Sequence, residues 1–416
     1  MGAGSLVWPP RACDISRDGG DRPVSDRIYL VPGFFGFTNL GELRYFGHVQ
    51  RFLEDVCGKL GFDARVHPVS TPPTSSLRTR AARLLDAIAA TFRPGDGAIH
   101  LVGHSSGGLD VRLLLSPEVS LPSKVDVERI VARVRTAVTV STPHHGTPVA
   151  SFFASLLGQR LLQLLSLSTI YVLRFGHPPI SVLLKLGAAF ARLDRHLGVN
   201  SALLDQLFGQ LLGDFSAGRR RVIGRLLEDV RTDQALLTQV TPEGMDVFNA
   251  STRTPRGVRC GSVVTRARPP GVLSAMATGL DPSAQASHAV YQALYRLAGR
   301  PTGFALPPIT RAQARVLERH YGDMPDLAAN DGLVPTLSQV WGDVIHAVRG
   351  DHLDVVGHFD DPSHDPPHFD WLSTGTGFAR ADFEAVWTDV ARYVHASASV
   401  RATTAARIAG RRRTAP

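Results

Sequence analysis

A mostly parallel β-sheet with helices on both faces is the fold class this sequence predicts, and three observations predict it. From Arg27 onward, short apolar runs of strand length alternate with longer runs of helical periodicity, the pattern that builds parallel strands joined by crossover helices. One run, Ala-Ile-His-Leu-Val at 98–102, feeds directly into Gly103-His104-Ser105-Ser106-Gly107-Gly108. Such a strand followed by G-x-S-x-G and a helical pattern is the nucleophile elbow of an α/β-hydrolase, where a serine occupies a turn so tight that glycines must flank it. Strand-like runs then resume late in the chain, at 258–265 and 344–348, after a Leu-rich helical stretch that interrupts the rhythm.

Taken in order, residues 1–26 mix Gly, Pro, Arg and Asp without periodicity and read as a loose arm. Ile28-Tyr29-Leu30-Val31 is a buried-strand run, broken by Pro32-Gly33-Phe34-Phe35-Gly36. A helical pattern at 43–60, a strand at 63–69 and a helix at 77–92 lead to the elbow strand. After the elbow, 109–115 is helical until Pro117, and 135–140 is a further strand ending in Ser141-Thr142-Pro143-His144-His145-Gly146-Thr147-Pro148. Residues 151–244 form the helical insertion, with 161–173 and 180–193 more apolar than a solvated helix requires. This stretch reads either as a subdomain with its own core or as a lid whose apolar face covers an acyl-binding pocket. Residues 269–322 read as loop-rich with one helix near 289–297. The tail at 397–416 shows no core pattern and is expected to be disordered. The organisation expected is therefore a core in two parts, 27–150 and 245–396, around the insertion.

Composition narrows the function classes. With 416 residues, 44% hydrophobic and 20% charged, the chain has ample material for a core, and much of its net charge of +8 lies in Arg219-Arg220-Arg221 and Arg411-Arg412-Arg413. Nothing resembles a nucleic-acid module, and no nucleic-acid partner is expected. Cys13, Cys57 and Cys260 are too scattered for a disulfide framework or a zinc site. No basic and apolar leader is visible near the start, and 161–173 falls short of a spanning helix, so a cytoplasmic, soluble protein is expected. No cofactor and no metal are expected.

A nucleophilic serine needs an imidazole to take its proton and a carboxylate to orient that imidazole. In this fold the order is Ser, then Asp or Glu, then His. Asn330-Asp331-Gly332-Leu333-Val334-Pro335 and then Gly350-Asp351-His352-Leu353-Asp354 follow in that order, the second directly after the last strand run. Ser105, Asp331 and His352 are the candidates. Asp326 and Asp351 are alternative acids; His346, His358, His364 and His368 are alternative bases. The loop after an early strand supplies one backbone N–H of an oxyanion hole, which nominates Phe34, and the residue after the nucleophile, Ser106, supplies the other.

These motifs together resemble those of bacterial triacylglycerol lipases of the Pseudomonas and Burkholderia type. The resemblance covers most of 27–359 outside the insertion and 269–322, and Thr241-Pro242-Glu243-Gly244-Met245 with Phe248-Asn249-Ala250 resembles the stretch after their lid. It implies Ser105 as nucleophile, Asp331 as acid, His352 as base, and the N–H groups of Phe34 and Ser106 as oxyanion donors. The sequence departs from that pattern in four places. Pro32-Gly33 stands where His-Gly is usual, and a signal peptide is absent. Asp354 matches one calcium ligand of those lipases, but Val356-Gly357-His358 replaces the rest of the pattern. The chain after His352 is longer, and 360–378 has no role by resemblance. The function expected is cleavage of carboxylic esters of apolar acyl chains through an acyl-serine, on a small-molecule ester or lipid, with transient lipid-surface contact through the lid. The alternatives are an acyltransferase on the same triad and a non-catalytic lipid-binding protein on a hydrolase scaffold.

Overall fold

The computed structural model describes residues 25–34, 45–175, 179–194, 201–303, 306 and 308–413. The expected arm at 1–24, and Phe35 and Gly36 of the loop after the first strand, lie outside the described residues.

Six strands form one sheet: β1 (Asp26–Val31), β2 (Ala64–Pro68), β3 (Ile99–His104), β4 (Val134–Val140), β5 (Arg259–Arg266) and β6 (Asp343–Arg349). Their order is β2-β1-β3-β4-β5-β6, and every neighbouring pair is parallel. Continuous apolar strands are what a sheet covered on both faces demands, and β3 is buried along its whole length. The first crossovers are α1 (Gly47–Lys59), α2 (Leu77–Thr91), α3 (Ser106–Leu114) and the short α4 (Val127–Val131). One core packs α2, α3 and α4 on one face; the other gathers α1 and the C-terminal helix on the opposite face. All carboxyl ends of the strands therefore open on one edge, where ligand sites of open α/β sheets form.

The elbow sits at that edge. Ser105 follows β3 with φ 54° and ψ −133°, a conformation non-glycine residues rarely adopt. Only close backbone approach makes the turn possible: a Cβ at Gly107 would stand 2.2 Å from the Val31 carbonyl oxygen, and one at Gly33 would stand 2.5 Å from the Ser105 Cβ. With its parallel sheet and this strand–serine–helix turn, the chain has the α/β-hydrolase fold.

Between β4 and β5, over the expected insertion at 151–244 and its flanks, lie α5 (Pro148–Phe153), α6 (Leu156–Phe175), α7 (Ile180–Asp194), α8 (Ser201–Gly213), α9 (Ala217–Thr232), α10 (Ala235–Gln239) and α11 (Pro242–Ser251). Leu161, Leu164, Leu167 and Ile170 of α6 are buried and belong to the same apolar cluster as the sheet face. Among the described residues no helix is long and apolar enough to cross a membrane.

Two expectations need correction. The stretch 269–322 carries three helices, α12 (Val272–Ala277), α13 (Pro282–Ala298) and α14 (Arg311–Tyr321). Their caps were readable: Asp281 accepts from the Ala284 N–H, and Thr310 with Gln313 forms a capping box. The Pro and Gly between them masked the periodicity. The tail from 397 also continues a helix, α15 (Arg380–Arg413), which buries Phe383, Val386, Trp387 and Val390 early in its length.

Candidate active site

The carboxyl edge brings Ser105, Asp331 and His352 together, although 247 residues separate the serine from the histidine. Ser105 Oγ lies 2.9 Å from His352 Nε2, and His352 Nδ1 lies 2.8 Å from Asp331 Oδ2. Because a carboxylate only accepts, Nδ1 carries the proton and donates to Asp331, leaving Nε2 to accept from the serine hydroxyl. Asp331 is fully buried. Its Oδ1 accepts from the N–H groups of Leu333 (3.0 Å) and Val334 (2.7 Å), and Oδ2 also accepts from Thr265 Oγ1 (2.8 Å) and Gln339 Nε2 (3.2 Å). These bonds compensate the burial of the charge and leave the carboxylate one orientation. The acid's loop is tied to the sheet by the Ala267 N–H, just past β5, which donates to the Asn330 carbonyl.

The alternative residues stand elsewhere. His346 pairs with Asp389 at 2.8 Å on the α15 side of the sheet, and Asp326 caps the N–H groups of Ala328 and Ala329. His364 and His368 lie beside His48, and Asp351 belongs to a cluster with Asp354 and Asp370.

Phe34 and Ser106 both line the cavity next to Ser105. Ser106 is the first residue of α3, so its N–H has no acceptor within the helix. The loop carrying Phe34 is gripped by a residue the sequence did not point to. Arg80 of α2, completely buried, donates Nε to Asp110 at 3.1 and 3.0 Å and one terminal nitrogen to Asp110 Oδ2 at 2.8 Å. That same nitrogen donates to the Pro32 carbonyl at 2.8 Å, and the other guanidinium nitrogen bonds the Pro72 and Pro73 carbonyls. Asp110 lies in α3, so one ion pair links the elbow helix to the Pro32 and Gly33 carbonyls of the loop that carries Phe34. An i, i+30 pair between two helices has no signature in sequence spacing.

His104, the variable residue of the elbow, is a second such link. Its Nδ1 accepts from the Tyr45 hydroxyl at 2.6 Å and its Nε2–H donates to the His352 carbonyl at 2.9 Å. Burial drives its basicity well below the usual histidine range, so it stays neutral in this bridging tautomer.

A cavity opens beside Ser105. Its walls are mainly apolar: Phe153, Leu162, Leu165, Leu236 and Leu237 come from the insertion, and Leu333 and Val334 from the Asp331 loop. A lining of this kind takes apolar ligands positioned by a few polar groups.

The resemblance matched Asp354 alone to a cation ligand; in the structure Asp351 and Asp370 lie beside it, with one carboxylate oxygen of each within 4.8 Å of the others. Asp351 Oδ1 accepts from Trp371 Nε1 at 2.9 Å, while its buried Oδ2 has no hydrogen-bond partner among the described residues. Burial pushes Asp351 up to about 7, and burial together with mutual repulsion pushes Asp354 and Asp370 well above the carboxylate range. An orphaned carboxylate oxygen amid two buried acids and a half-buried one fits a hard divalent cation, which takes oxygen ligands of this kind.

No protein-family profile matches the chain, and no curated protein matches it. Solved structures do. Lipase 1 from Pelosinus fermentans is 17% identical over 89% of this chain and 98% of its own, with a TM-score of 0.48. EstA from Clostridium botulinum is 18% identical over 88% of this chain and 87% of its own, with a TM-score of 0.46. A metagenomic carboxyl esterase is 17% identical over 90% of this chain and 76% of its own, with a TM-score of 0.45. The chain is similar to these bacterial proteins at the level of fold, and its assignment as an α/β-hydrolase is carried by its own sheet order and elbow.

Proposed function

We propose that this protein is a serine hydrolase of carboxylic esters with apolar acyl chains. The observation that carries the reading is the continuous path Ser105 Oγ to His352 Nε2 to Asp331, at 2.9 and 2.8 Å, opening into an apolar cavity. In this reading the acyl chain lies along Leu162, Leu165 and Leu237. His352 takes the Ser105 proton as the oxygen attacks the ester carbonyl, and the charged imidazolium is stabilised by Asp331. The tetrahedral oxyanion accepts from the N–H groups of Phe34 and Ser106, each donor worth about 2.7–4 kcal/mol. His352 then protonates the leaving alkoxide; a water activated by the same histidine hydrolyses the acyl-serine and restores Ser105.

Arg80 acts by holding the Pro32 carbonyl, and His104 by holding the His352 carbonyl, so both are positioning residues. Asp351, Asp354 and Asp370 would hold calcium, which would neutralise the charge of these three clustered acids and help fix the loop that carries His352. Burial of α6 within the core supports a pocket wall, and its approach to Ser105 supports a lid over the same cavity.

A p-nitrophenyl ester series of increasing chain length tests the proposal, with wild type beside Ser105→Ala. Hydrolysis that vanishes in the variant, with stoichiometric phosphonate labelling of Ser105 in the wild type, is expected. Labelling of a different serine, or equal turnover by both proteins, refutes it.

A further inference from the structure

Outside the Ser105 site, three histidines from distant parts of the chain converge. His48 lies on α1; His364 and His368 lie on the segment between β6 and α15. One ligating nitrogen from each falls within 4.8 Å of the other two. His48 stacks on His368 with ring centroids 3.6 Å apart, and the His364 ring is 5.0 Å from His368.

The bonds around these rings are arranged as they are around metal-ligating imidazoles. The Nδ1–H of His364 donates to the Pro366 carbonyl at 2.8 Å, and the Nδ1–H of His368 donates to the Gly357 carbonyl at 2.7 Å. A backbone acceptor on one ring nitrogen fixes the tautomer that leaves the lone pair on the other. Two of the three rings therefore offer Nε2 before any ligand arrives. Gly357 itself has φ +104°, and a Cβ there would stand 2.9 Å from the His48 Cβ, so this glycine is what lets the loop close on α1. Burial and the neighbouring histidines lower His48 to about 3 and lower His368 as well. The pocket they line also contains Arg51, Arg380 and Glu384, with Arg380 paired to Glu384 at 2.7 Å.

We propose that His48, His364 and His368 form a binding site for a zinc-class divalent cation that clamps α1 to the loop following His352. An all-imidazole set selects zinc, cobalt, nickel or copper over calcium, which takes oxygen ligands. Bonds of about 2.0–2.1 Å in a tetrahedron bring the ligating nitrogens to about 3.4 Å from one another. Ring rotations and opening of the His48–His368 stack suffice for that. The clamp bears on the site through the residues already described: Tyr45, two residues before α1, holds His104, and His104 holds the His352 carbonyl. The inference stands independently of ester hydrolysis, because its readout is the metal.

The test strips the full-length protein with chelator and titrates it with Co²⁺ and then Zn²⁺, following visible d–d absorption and metal content. One equivalent of tetrahedral Co²⁺, displaced by Zn²⁺, is expected in the wild type. His364→Gln and His48→Gln should each weaken that binding at least tenfold, while Asp370→Asn leaves it unchanged. Because His364 is only half-buried, its variant should retain the wild-type circular dichroism spectrum and decides the matter even if His48→Gln fails to fold. Absence of a stoichiometric equivalent at micromolar metal, histidine variants that bind like wild type, or loss of the metal in Asp370→Asn alone would each overturn the proposal.

Discussion

The loops around Ser105 and the helical insertion that walls the same cavity are held by different physics. Around Ser105, position is set by directional bonds: Asp331 receives donors from His352, Thr265, Gln339 and two backbone N–H groups, and Arg80 ties α2, α3 and the Pro32 carbonyl together. On the insertion side, α6 is held mainly by buried leucines; its Ser166 and Thr169 hydroxyls bond to carbonyls of their own helix, and its Tyr171 and Gln163 bond to Asp214 and the Leu227 carbonyl within the same helical stretch. A hydrogen bond weakens steeply with angle, whereas apolar burial is nearly indifferent to a small slide. The same cavity thus has one wall set by a dense network of directional bonds and another in which α6 contributes chiefly apolar burial, while the Leu236–Val240 part of that wall is bonded to Thr74, Leu77 and Thr147. Under the proposed function, the first wall would govern whether chemistry occurs, and the second which acyl chains enter.

The comparison breaks most visibly at the rigid wall. Ser105→Ala should lower kcat on the order of 10⁶-fold with the fold intact, measured by ester turnover and thermal melting. Asp331→Asn should lower kcat by about 10⁴ through the wrong imidazole tautomer, with little change in KM; Asp326→Asn should match wild type, and the reverse pattern would move the acid.

Arg80 sharpens the contrast between stability and positioning. Arg80→Met leaves Asp110 buried and unpaired and should cost about 3–5 kcal/mol of stability. Adding Asp110→Leu removes the orphaned charge and should restore most of it by chemical denaturation. Activity of the double variant should still fall roughly tenfold or more, equivalent to at least about 1.4 kcal/mol in the barrier, because nothing then orients the Pro32 carbonyl. Full recovery of activity would reduce Arg80 to a structural role.

At the apolar wall the effects are smaller and selective. Leu162→Ala should lower kcat/KM for long-chain esters severalfold, within the roughly 1–3 kcal/mol that a hydrophobic pocket can discriminate, while acetate esters change little. Uniform loss across chain lengths would show that the insertion, too, sets the catalytic geometry. The least effect on turnover and the clearest on stability is expected from the acidic cluster: added calcium should raise the Tm of the wild type by stabilising only the folded state. Asp370→Asn should lose most of that response, and an equal response in both would remove these three acids from the metal's coordination.

Much of this was legible in the chain because it is local. A strand run, a serine between glycines and a helix pattern are neighbours in sequence, and the tight turn at Ser105 admits few residue types beside it. The capped helices between 272 and 321 were equally local but were obscured by the intervening Pro and Gly residues. Arg80, Gln339, Thr265, the Tyr45–His104 bridge and Asp370 were not legible at all, since each acts across elements whose spacing has no period.

By itself, then, the sequence determined the strand-and-helix alternation, the elbow and the chain order of serine, acid and base, because steric permission and hydrophobic periodicity are properties of adjacent residues. Tertiary structure alone separates Asp331 from Asp326 and Asp351, and His352 from four other histidines, in their distance from Ser105, because all of them carry the same chemistry. It set His352 2.9 Å from Ser105 and sent His364 and His368 to His48. Proton transfer and ligation fall off within an ångström, and a length scale that short is settled by packing rather than by residue type.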